Sequence, residues 1–371
     1  MAVIFTKNYG SSDLLTTGNS WIVEFNSDTA EFPQRAKITF TGRDFYVDPN
    51  PDGSFSFDYK RIMNSLININ NFEDPQNDAD IGGTPYIKRA DNHYMVISST
   101  YTIEFAVASN ESSSKIYHFK KAVYDPLEFR LGNQDIDTKS DVLLPKVSGE
   151  HYARITPDQP FDISFYSRVS GATVTITNLT NADTVTDTVF GGVNRIFFRD
   201  GRGNSVAGLS LVDGWNRIKL RHSTDTIDFF VNVFQEPKAS CKTILKWFNL
   251  EGGWSTFPFI HEAETVGSKT KSFIENNYDT FDDYKSNLTS TGTDLMKERE
   301  HTAVRVSSNE VVAFKGLVAS PKVYKLHTDS LGLPVWEEIS FKASDVRLTQ
   351  TGKNAFDFQL KTFQSENGYT L

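Results

Sequence analysis

Short runs in which apolar and polar residues alternate recur along the chain, and turn-forming residues separate them. In the clearest run, YMVISSTYTIEFAVAS at residues 94–109, the apolar side chains at alternate positions are Met95, Ile97, Tyr101, Ile103, Phe105 and Val107. A period of two residues places such side chains on one face of a β-strand. The pattern therefore predicts a mainly β protein. The composition agrees, because 13% of the residues are aromatic, and rings suit a pleated, half-buried surface.

A chain of 371 residues is too long for one ordinary core, and we predict tandem domains. Residues 1–125 are expected to form a β-sandwich with one amphipathic helix within 58–70. Residues 126–238 have the short, regularly spaced runs of an immunoglobulin-like β-sandwich, in which 215–220 pairs with 227–233 as a closing hairpin. Residues 239–371 are expected to form a C-terminal β-rich domain. It contains a Trp/Gly-Gly hairpin and a partly helical insertion around 278–288, after a linker at 235–240.

Charge and apolar content restrict the partners that the chain can have. The formal net charge is −9 and the isoelectric point is about 5.4, so the chain has no bulk positive field for nucleic acid or an anionic membrane. No run of 18 apolar residues occurs, which argues against membrane insertion. The first residues lack the pattern of a secretory signal, and the single Cys241 has no partner for an internal disulfide. These features predict assembly in a cytoplasm.

Motifs for metal binding and catalysis are incomplete. Residues 48–59, DPNPDGSFSFDY, begin like a calcium-binding EF-hand loop, but the twelfth position is Tyr59 where a bidentate carboxylate is needed. In HEAET at residues 261–265, His261 lacks the second histidine of a zinc protease, and a solvated loop is the simpler interpretation. No nucleophile elbow, P-loop or dinucleotide fingerprint occurs. We therefore expect no catalytic residues, no metal site and no cofactor, and we predict that the chain is not an enzyme.

The stretch CKTILKWFNLEGGWSTFPF, residues 241–259, concentrates large rings around a Gly-Gly corner. We predict that 243–249 and 254–259 pair as a hairpin, because glycine supplies the positive φ that a tight turn needs. Both faces of each strand are apolar, as in a doubly covered sheet or a subunit contact. The predicted structural or interface residues are Trp247, Asn249, Gly252, Gly253, Trp254, Phe257 and Phe259. Alternatively, Trp247 and Trp254 are exposed and stack on sugar rings.

Three segments resemble virion tail proteins of phages that infect Bacteroidetes, including crAss-like phages. The first is VDPNPDGSFSFDYKRIMNSLI at 47–67. The second is the hairpin at 241–259, whose Trp-x-Asn-x-x-Gly-Gly pattern is matched by Trp247, Asn249, Gly252 and Gly253. The third comprises the terminal strands at 320–326 and 333–363. The middle of the chain matches only a generic immunoglobulin-like domain.

The resemblance implies a non-enzymatic structural subunit of a tail hub, baseplate or adaptor, located in the virion tail and assembled in the host cytoplasm. Its partners would be copies of itself in a symmetric ring and other tail or connector proteins, without nucleic acid. The hairpin around Gly252 and the 278–300 segment are expected near a subunit contact. The alternative function is a glycan- or receptor-binding module of the tail or of a cell-surface apparatus. An enzyme such as a glycan depolymerase is a third possibility.

Overall fold

The structure is a computed structural model of the chain. It describes residues 2–11, 13–67, 87–89, 93–123, 141–147, 149–157, 159, 161–198, 209–234, 243–259, 261–270, 273–275, 288–290, 293–328, 334–352 and 355–365. Contacts group the chain into two units. The first comprises Met1–Phe234 and Phe248–Ser255, and the second comprises Gln235–Trp247 and Thr256–Leu371.

The N-terminal part of the first unit is a β-sandwich. Its elements are β1 (Val3–Lys7), β2 (Leu14–Thr16), β3 (Ile22–Ser27), β4 (Arg35–Phe40), β5 (Arg43–Val47), β6 (Phe55–Asp58), α1 (Lys60–Ile67), β8 (Tyr94–Glu104) and β9 (Glu111–Lys120); β7 (Ile87–Arg89) belongs to a different sheet. One sheet has the order β1-β3-β6 and the other has the order β2-β9-β8-β4-β5. Helix α1 buries Met63, Leu66 and Ile67, the apolar stripe that its sequence spacing predicts.

Rings fill the core of this N-terminal sandwich. Phe25 stacks on Phe55 with ring centroids 5.3 Å apart, and both side chains are fully buried. The hydroxyl of Tyr101 lies 2.6 Å from that of Tyr59 and 2.9 Å from that of Tyr117. Burial raises the pKa of all three phenols, that of Tyr59 to about 12, because a phenolate would lose its hydration there. The three tyrosines therefore stay neutral and share hydrogen bonds inside the core.

The remainder of the first unit contains a second β-sandwich, here called the central sandwich. Its further strands are β10 (Asp141–Val142), β11 (Lys146–Val147), β12 (Glu150–Ile155), β13 (Phe161–Ser167), β14 (Ala172–Asn178), β15 (Thr184–Val189), β16 (Gly192–Phe198), β17 (Gly214–His222) and β18 (Asp225–Val233). One sheet has the order β10-β13-β16-β7, and the other has the order β11-β12-β18-β17-β14-β15. Strand β12 runs parallel to β18, whereas β17 and β18 form an antiparallel hairpin with Leu220 opposite Ile227.

The second unit is β-rich. Its elements are β19 (Thr243–Phe248) as far as Trp247, β20 (Trp254–Phe259) from Thr256 onward, β21 (His261–Thr270), β22 (Phe273–Glu275), β23 (Leu288–Ser290), β24 (Thr293–Ser307), α2 (Ser308–Ala319), β25 (Val323–Thr328), β26 (Pro334–Gly352) and β27 (Ala355–Ser365). The main sheet has the order β20-β19-β25-β26-β27-β24-β21, and β22 pairs with β23. Helix α2 begins with a capping box in which Ser307 and Glu310 bond each other's backbone N–H.

The predicted fold class is confirmed: the described residues are mainly β, with β-sandwich sheets, a C-terminal β-rich unit and two short helices. The closing hairpin of 215–220 with 227–233 has the predicted partners. Two details differ. The helix begins at Lys60, two residues later than 58, and its predicted end at 68–70 lies outside the described residues. Val107, predicted to face the core, is 91% exposed because β8 ends at Glu104 and a loop follows. Both predicted domain boundaries, the linker, Cys241 and the 278–287 part of the insertion lie outside the described residues.

Candidate functional site: the aromatic hairpin

Strands β19 and β20 form the predicted hairpin, and Asn249 fixes its turn. The backbone N–H of Asn249 donates to the carbonyl of Gly253 at 2.8 Å. Its side-chain oxygen accepts the N–H of Gly253 at 3.1 Å, and its Nδ2 donates to Ser255 Oγ at 2.8 Å and to the Leu143 carbonyl at 3.0 Å. Asn249 is only 3% exposed, and both the oxygen and the nitrogen of its side-chain amide form hydrogen bonds. This residue holds the turn together and joins it to the strand region around Leu143.

The two glycines are required for different reasons. Gly252 has a φ of +95°, which side chains rarely adopt, and a Cβ there would lie 2.7 Å from the carbonyl oxygen of Lys121. A Cβ on Gly253 would lie 2.4 Å from the carbonyl oxygen of Leu143 and 2.7 Å from Cβ of Ser164. The backbone of the turn therefore packs directly against two other backbone segments of the first unit.

Residues 248–255, here called the hairpin tip, belong to the first unit and pack among its other residues. The ring of His93 lies 4.8 Å from that of Phe248 and 5.8 Å from that of Trp254. The N–H of Val123 donates to the Leu250 carbonyl at 2.9 Å, beside the N-terminal sandwich. On the side of the central sandwich, the N–H of Trp254 donates to Ser164 Oγ at 3.3 Å. The tip thus contacts both sandwiches of the first unit.

The remaining aromatic residues of the hairpin lie in the core of the second unit. Trp247 is 1% exposed, and its ring lies 6.0 Å from that of Phe314. Phe257 and Phe259 contact the same Phe314 ring, at 4.8 and 6.0 Å, and Phe358 stacks on it at 4.3 Å. These rings form one hydrophobic cluster with Leu245 and other buried side chains.

The seven predicted residues are thus placed inside the chain, and their individual roles are in packing and turn formation. Trp254 is completely buried, so neither indole of the hairpin can stack on a sugar from solvent. That the hairpin and its seven residues lie near a contact between subunits stays a prediction. Such a contact would have to involve surface residues that these side chains support.

The other candidates from the sequence have local structural roles. In the EF-hand-like segment, the carboxylate of Asp52 accepts hydrogen bonds from the backbone N–H and hydroxyl of Ser54, which lower its pKa. Segment 261–265 is not the expected solvated loop but part of β21, because it pairs with β24. The carboxylate of Glu262 lies 2.7 Å from Lys325 Nζ and 3.5 Å from Arg299 Nε. Burial lowers the pKa of His301, on the paired strand β24, to about 4. The Glu262 carboxylate is thus paired with two cations.

No three His, Cys, Asp or Glu side chains of the described residues lie close enough together to hold a metal ion. Of the two helices described, neither has the length and apolar composition to cross a membrane.

The sequence reasoning overlooked two features of the central sandwich. Arg195 is 1% exposed and forms two hydrogen bonds with the buried carboxylate of Asp162, at 2.6 and 2.7 Å. Trp215 is 59% exposed, and its indole faces solvent. The sequence could have indicated this exposure, because Trp215 begins the alternating run W-x-R-x-K-x-R of β17, in which the other residues of the same parity are cations.

No known protein family and no curated protein matches the chain. Among solved structures, a tetra-tandem repeat in the extending region of a large adhesion protein is 12% identical with a TM-score of 0.23, covering 100% of this chain and 71% of that chain. A Ca²⁺-stabilized adhesin that helps an Antarctic bacterium reach out and bind ice is 11% identical, with a TM-score of 0.20 and coverages of 91% and 97%. Domains 4–9 of the surface layer protein SbsC are 8% identical, with a TM-score of 0.19 and coverages of 100% and 46%. At these scores the likeness carries no argument about function.

Proposed function

We propose that this protein is a non-enzymatic structural subunit of a phage tail, in a hub, baseplate or adaptor, and that it assembles with its own copies into a symmetric ring. The structural role is supported mainly by one observation, which is that the side chains of the hairpin motif are buried and bonded within the chain. Trp247 and Trp254 are buried and the side chain of Asn249 has its hydrogen bonds filled within the chain. Side chains buried in this way stabilise a fold and are not exposed to a ligand in solvent.

The assignment to a tail is supported by the sequence resemblance at the hairpin, at 47–67 and at the terminal strands. A ring of identical subunits uses one surface of each copy against a different surface of the next, and it closes when the rotation between copies closes. Rigid β-sandwich units suit this use, because a fixed rotation needs subunits that do not deform.

The proposal is tested by electron microscopy of particles that contain this chain, together with native mass spectrometry of the purified protein. We expect several copies around a symmetry axis in the particle, and oligomers of the same number in solution or on addition of tail proteins. Monomers alone, both in the particle and in solution, would contradict the ring. Release of oligosaccharides from a host polysaccharide by the purified chain would contradict a non-enzymatic role.

The alternative function is a glycan- or receptor-binding module. The indoles expected to bind a glycan were Trp247 and Trp254, but the indole that favours this alternative is Trp215. The two hairpin indoles are buried, whereas Trp215 of the central sandwich is exposed. Binding to a glycan array that is lost in Trp215→Ala and kept in Trp247→Phe would support this alternative. Silence of the array would leave the structural subunit as the sole proposal.

A further inference from the structure

The six-stranded sheet of the central sandwich has an outer face of unusual composition. We use "outer face" for the side chains of β12, β18, β17, β14 and β15 that alternate with the buried core residues. On β17 the core side is formed by Asn216, Ile218, Leu220 and His222, whereas the outer face carries Trp215, Arg217, Lys219 and Arg221. An aromatic residue and three cations in one row make β17 the centre of the face.

Trp215 is held in place by aromatic neighbours on β18, the adjoining strand, and on β12, the strand beyond it. Its ring lies 5.5 Å from that of Tyr152 on β12 and 6.4 Å from that of Phe230 on β18. Arg154 Nε donates to the Tyr152 hydroxyl at 3.1 Å, which fixes the supporting ring in turn. An exposed indole packed against two rings loses little conformational freedom when a ligand stacks on it. Trp215 is therefore a preformed stacking platform.

The charge of the outer face opposes that of the whole chain. Its cations are Arg154, Arg217, Lys219 and Arg221, and its carboxylates are Glu150 and Asp228. The face is thus positive in a chain of net charge −9. Asp228 forms an ion pair with Arg217, so the positive charge extends beyond this pair along β17. Side chains two residues apart on a strand are about 7 Å apart, which spaces these cations along a line.

Threonine hydroxyls cover the other side of the face. The pairs across β14 and β15 are Thr173 with Thr188, Thr175 with Thr186, and Thr177 with Thr184. All six side chains are exposed or half-buried. Neighbouring strands are about 4.8 Å apart, so these hydroxyls form a regular array of donors and acceptors beside the cations.

We propose that the outer face binds an anionic polysaccharide. A sugar ring of the polysaccharide stacks on Trp215, and the acidic groups of the polysaccharide contact Lys219 and Arg221. The sugar hydroxyls form hydrogen bonds with the threonine array. Sugars have both apolar ring faces and dense hydroxyls, and the surface provides a partner for each. This inference does not depend on the proposed structural role; it rests on the alternative function, a glycan-binding module at Trp215, and names the class of glycan and the residues that would bind it.

Two other classes of partner fit the face less well. Single-stranded nucleic acid has a phosphate at every nucleotide and needs a strongly positive groove, whereas this face carries four cations against two carboxylates. A stable contact between copies has a cluster of apolar side chains at its centre. Here the centre is the row of cations on β17, and the aromatic side chains of Trp215, Tyr152 and Phe230 lie together at one end of it.

The test is affinity electrophoresis and titration calorimetry of the full chain with polygalacturonate, alginate and dextran sulfate. Methyl-esterified polygalacturonate, which keeps the backbone but lacks the charges, is the matched probe. We expect binding to at least one of the three polyanions, weaker binding to the ester, and loss of affinity as salt rises. Trp215→Ala should weaken binding about tenfold or more, as expected for one stacking contact, and Lys219→Gln with Arg221→Gln should reduce the salt dependence.

The control variant is Tyr46→Ala. Tyr46 is 57% exposed on the N-terminal sandwich, with the guanidinium of Arg35 4.7 Å from its ring centre, so it combines an exposed ring and a cation elsewhere on the surface. The proposal is overturned by absence of binding to all three polyanions, by equal binding of the ester, or by equal loss in Tyr46→Ala. Tighter binding of single-stranded DNA, or an oligomer that Trp215→Ala dissociates while no polysaccharide binds, would also overturn it.

Discussion

Replacing Gly253 with alanine tests whether the hairpin tip is held by direct backbone packing. The added Cβ would lie 2.4 Å from the carbonyl oxygen of Leu143, well below the 3.0 Å that real Cβ atoms keep. The Leu143 segment cannot easily give way, because its N–H donates to the Ser164 carbonyl at 2.8 Å. Ser164 is itself the second close neighbour, with its Cβ at 2.7 Å. The clash must therefore push the whole tip outward.

The expected cost follows from the contacts that this movement breaks. Overpacking a well-filled site costs ~1–3 kcal/mol. Withdrawal of the tip also lengthens the bond from Asn249 Nδ2 to the Leu143 carbonyl, now 3.0 Å, and an unpaired buried group costs ~1–3 kcal/mol. We expect the free energy of unfolding of the first unit to fall by about 3 kcal/mol in Gly253→Ala.

Urea denaturation followed by circular dichroism and tryptophan fluorescence measures this change through the transition midpoint and its slope. Gly191→Ala is the matched control in the same unit, since its Cβ would meet Ser170 at an ordinary 3.4 Å. We expect the control to stay within about 1 kcal/mol of the unmodified chain. If both variants unfold at the same urea concentration with unchanged slopes, the hairpin tip is not held by close packing and the reasoning is refuted.

Three further outcomes are expected from buried polar groups. Tyr101→Phe should lower the free energy of unfolding by ~1–2 kcal/mol. Because burial raises the pKa of these phenols, the stability that their neutral forms contribute is complete below about pH 10. It is lost as pH rises through the pKa of about 12 for Tyr59, and urea midpoints measured at increasing pH would show this loss. Burial lowers the pKa of His301 to about 4, so the stability that its neutral form contributes is present above about pH 6.5 and is lost as pH falls towards 4. In His301→Gln, the urea midpoint should therefore fall less steeply as the pH is lowered. Arg195→Met leaves the Asp162 carboxylate buried without its ion pair and should cost ~3–5 kcal/mol, whereas adding Asp162→Asn should recover part of that loss, as measured by thermal unfolding.

Local patterns predicted the parts of the fold that depend on local physics. The alternation in 94–109 identified β8, since burial of Ile97, Tyr101 and Ile103 on one face requires a period of two. The same pattern failed at Val107, because alternation alone does not show where pairing with β9 ends. The carboxylate of Glu31 accepts three backbone N–H groups of residues 106–108, two at 3.0 Å and one at 2.8 Å, and so holds this segment as a loop.

Long-range contacts could not be predicted from the sequence. A glycine turn was expected at the hairpin, but the reason for Gly253 is a carbonyl at Leu143, and Asn249 reaches the same group across 106 positions of sequence. The ion pair of Arg195 with Asp162 depends on the antiparallel register of β13 and β16, in which Asp162 lies opposite Phe197. Sequence spacing contains neither fact, because each arises when distant segments pack together.

The geometry of the hairpin gives a physical account of its Trp-x-Asn-x-x-Gly-Gly pattern. Trp247 is required by the core of the second unit, Asn249 by the turn and the Leu143 carbonyl, and Gly252 and Gly253 by backbone segments that leave no room for Cβ. Each position is thus constrained by a different neighbour within the chain. A pattern set by packing identifies a fold, and it can recur in proteins whose ligands differ. Binding must therefore be sought where side chains remain exposed after packing is complete, and in the central sandwich that condition directs attention to Trp215 and the cations of β17.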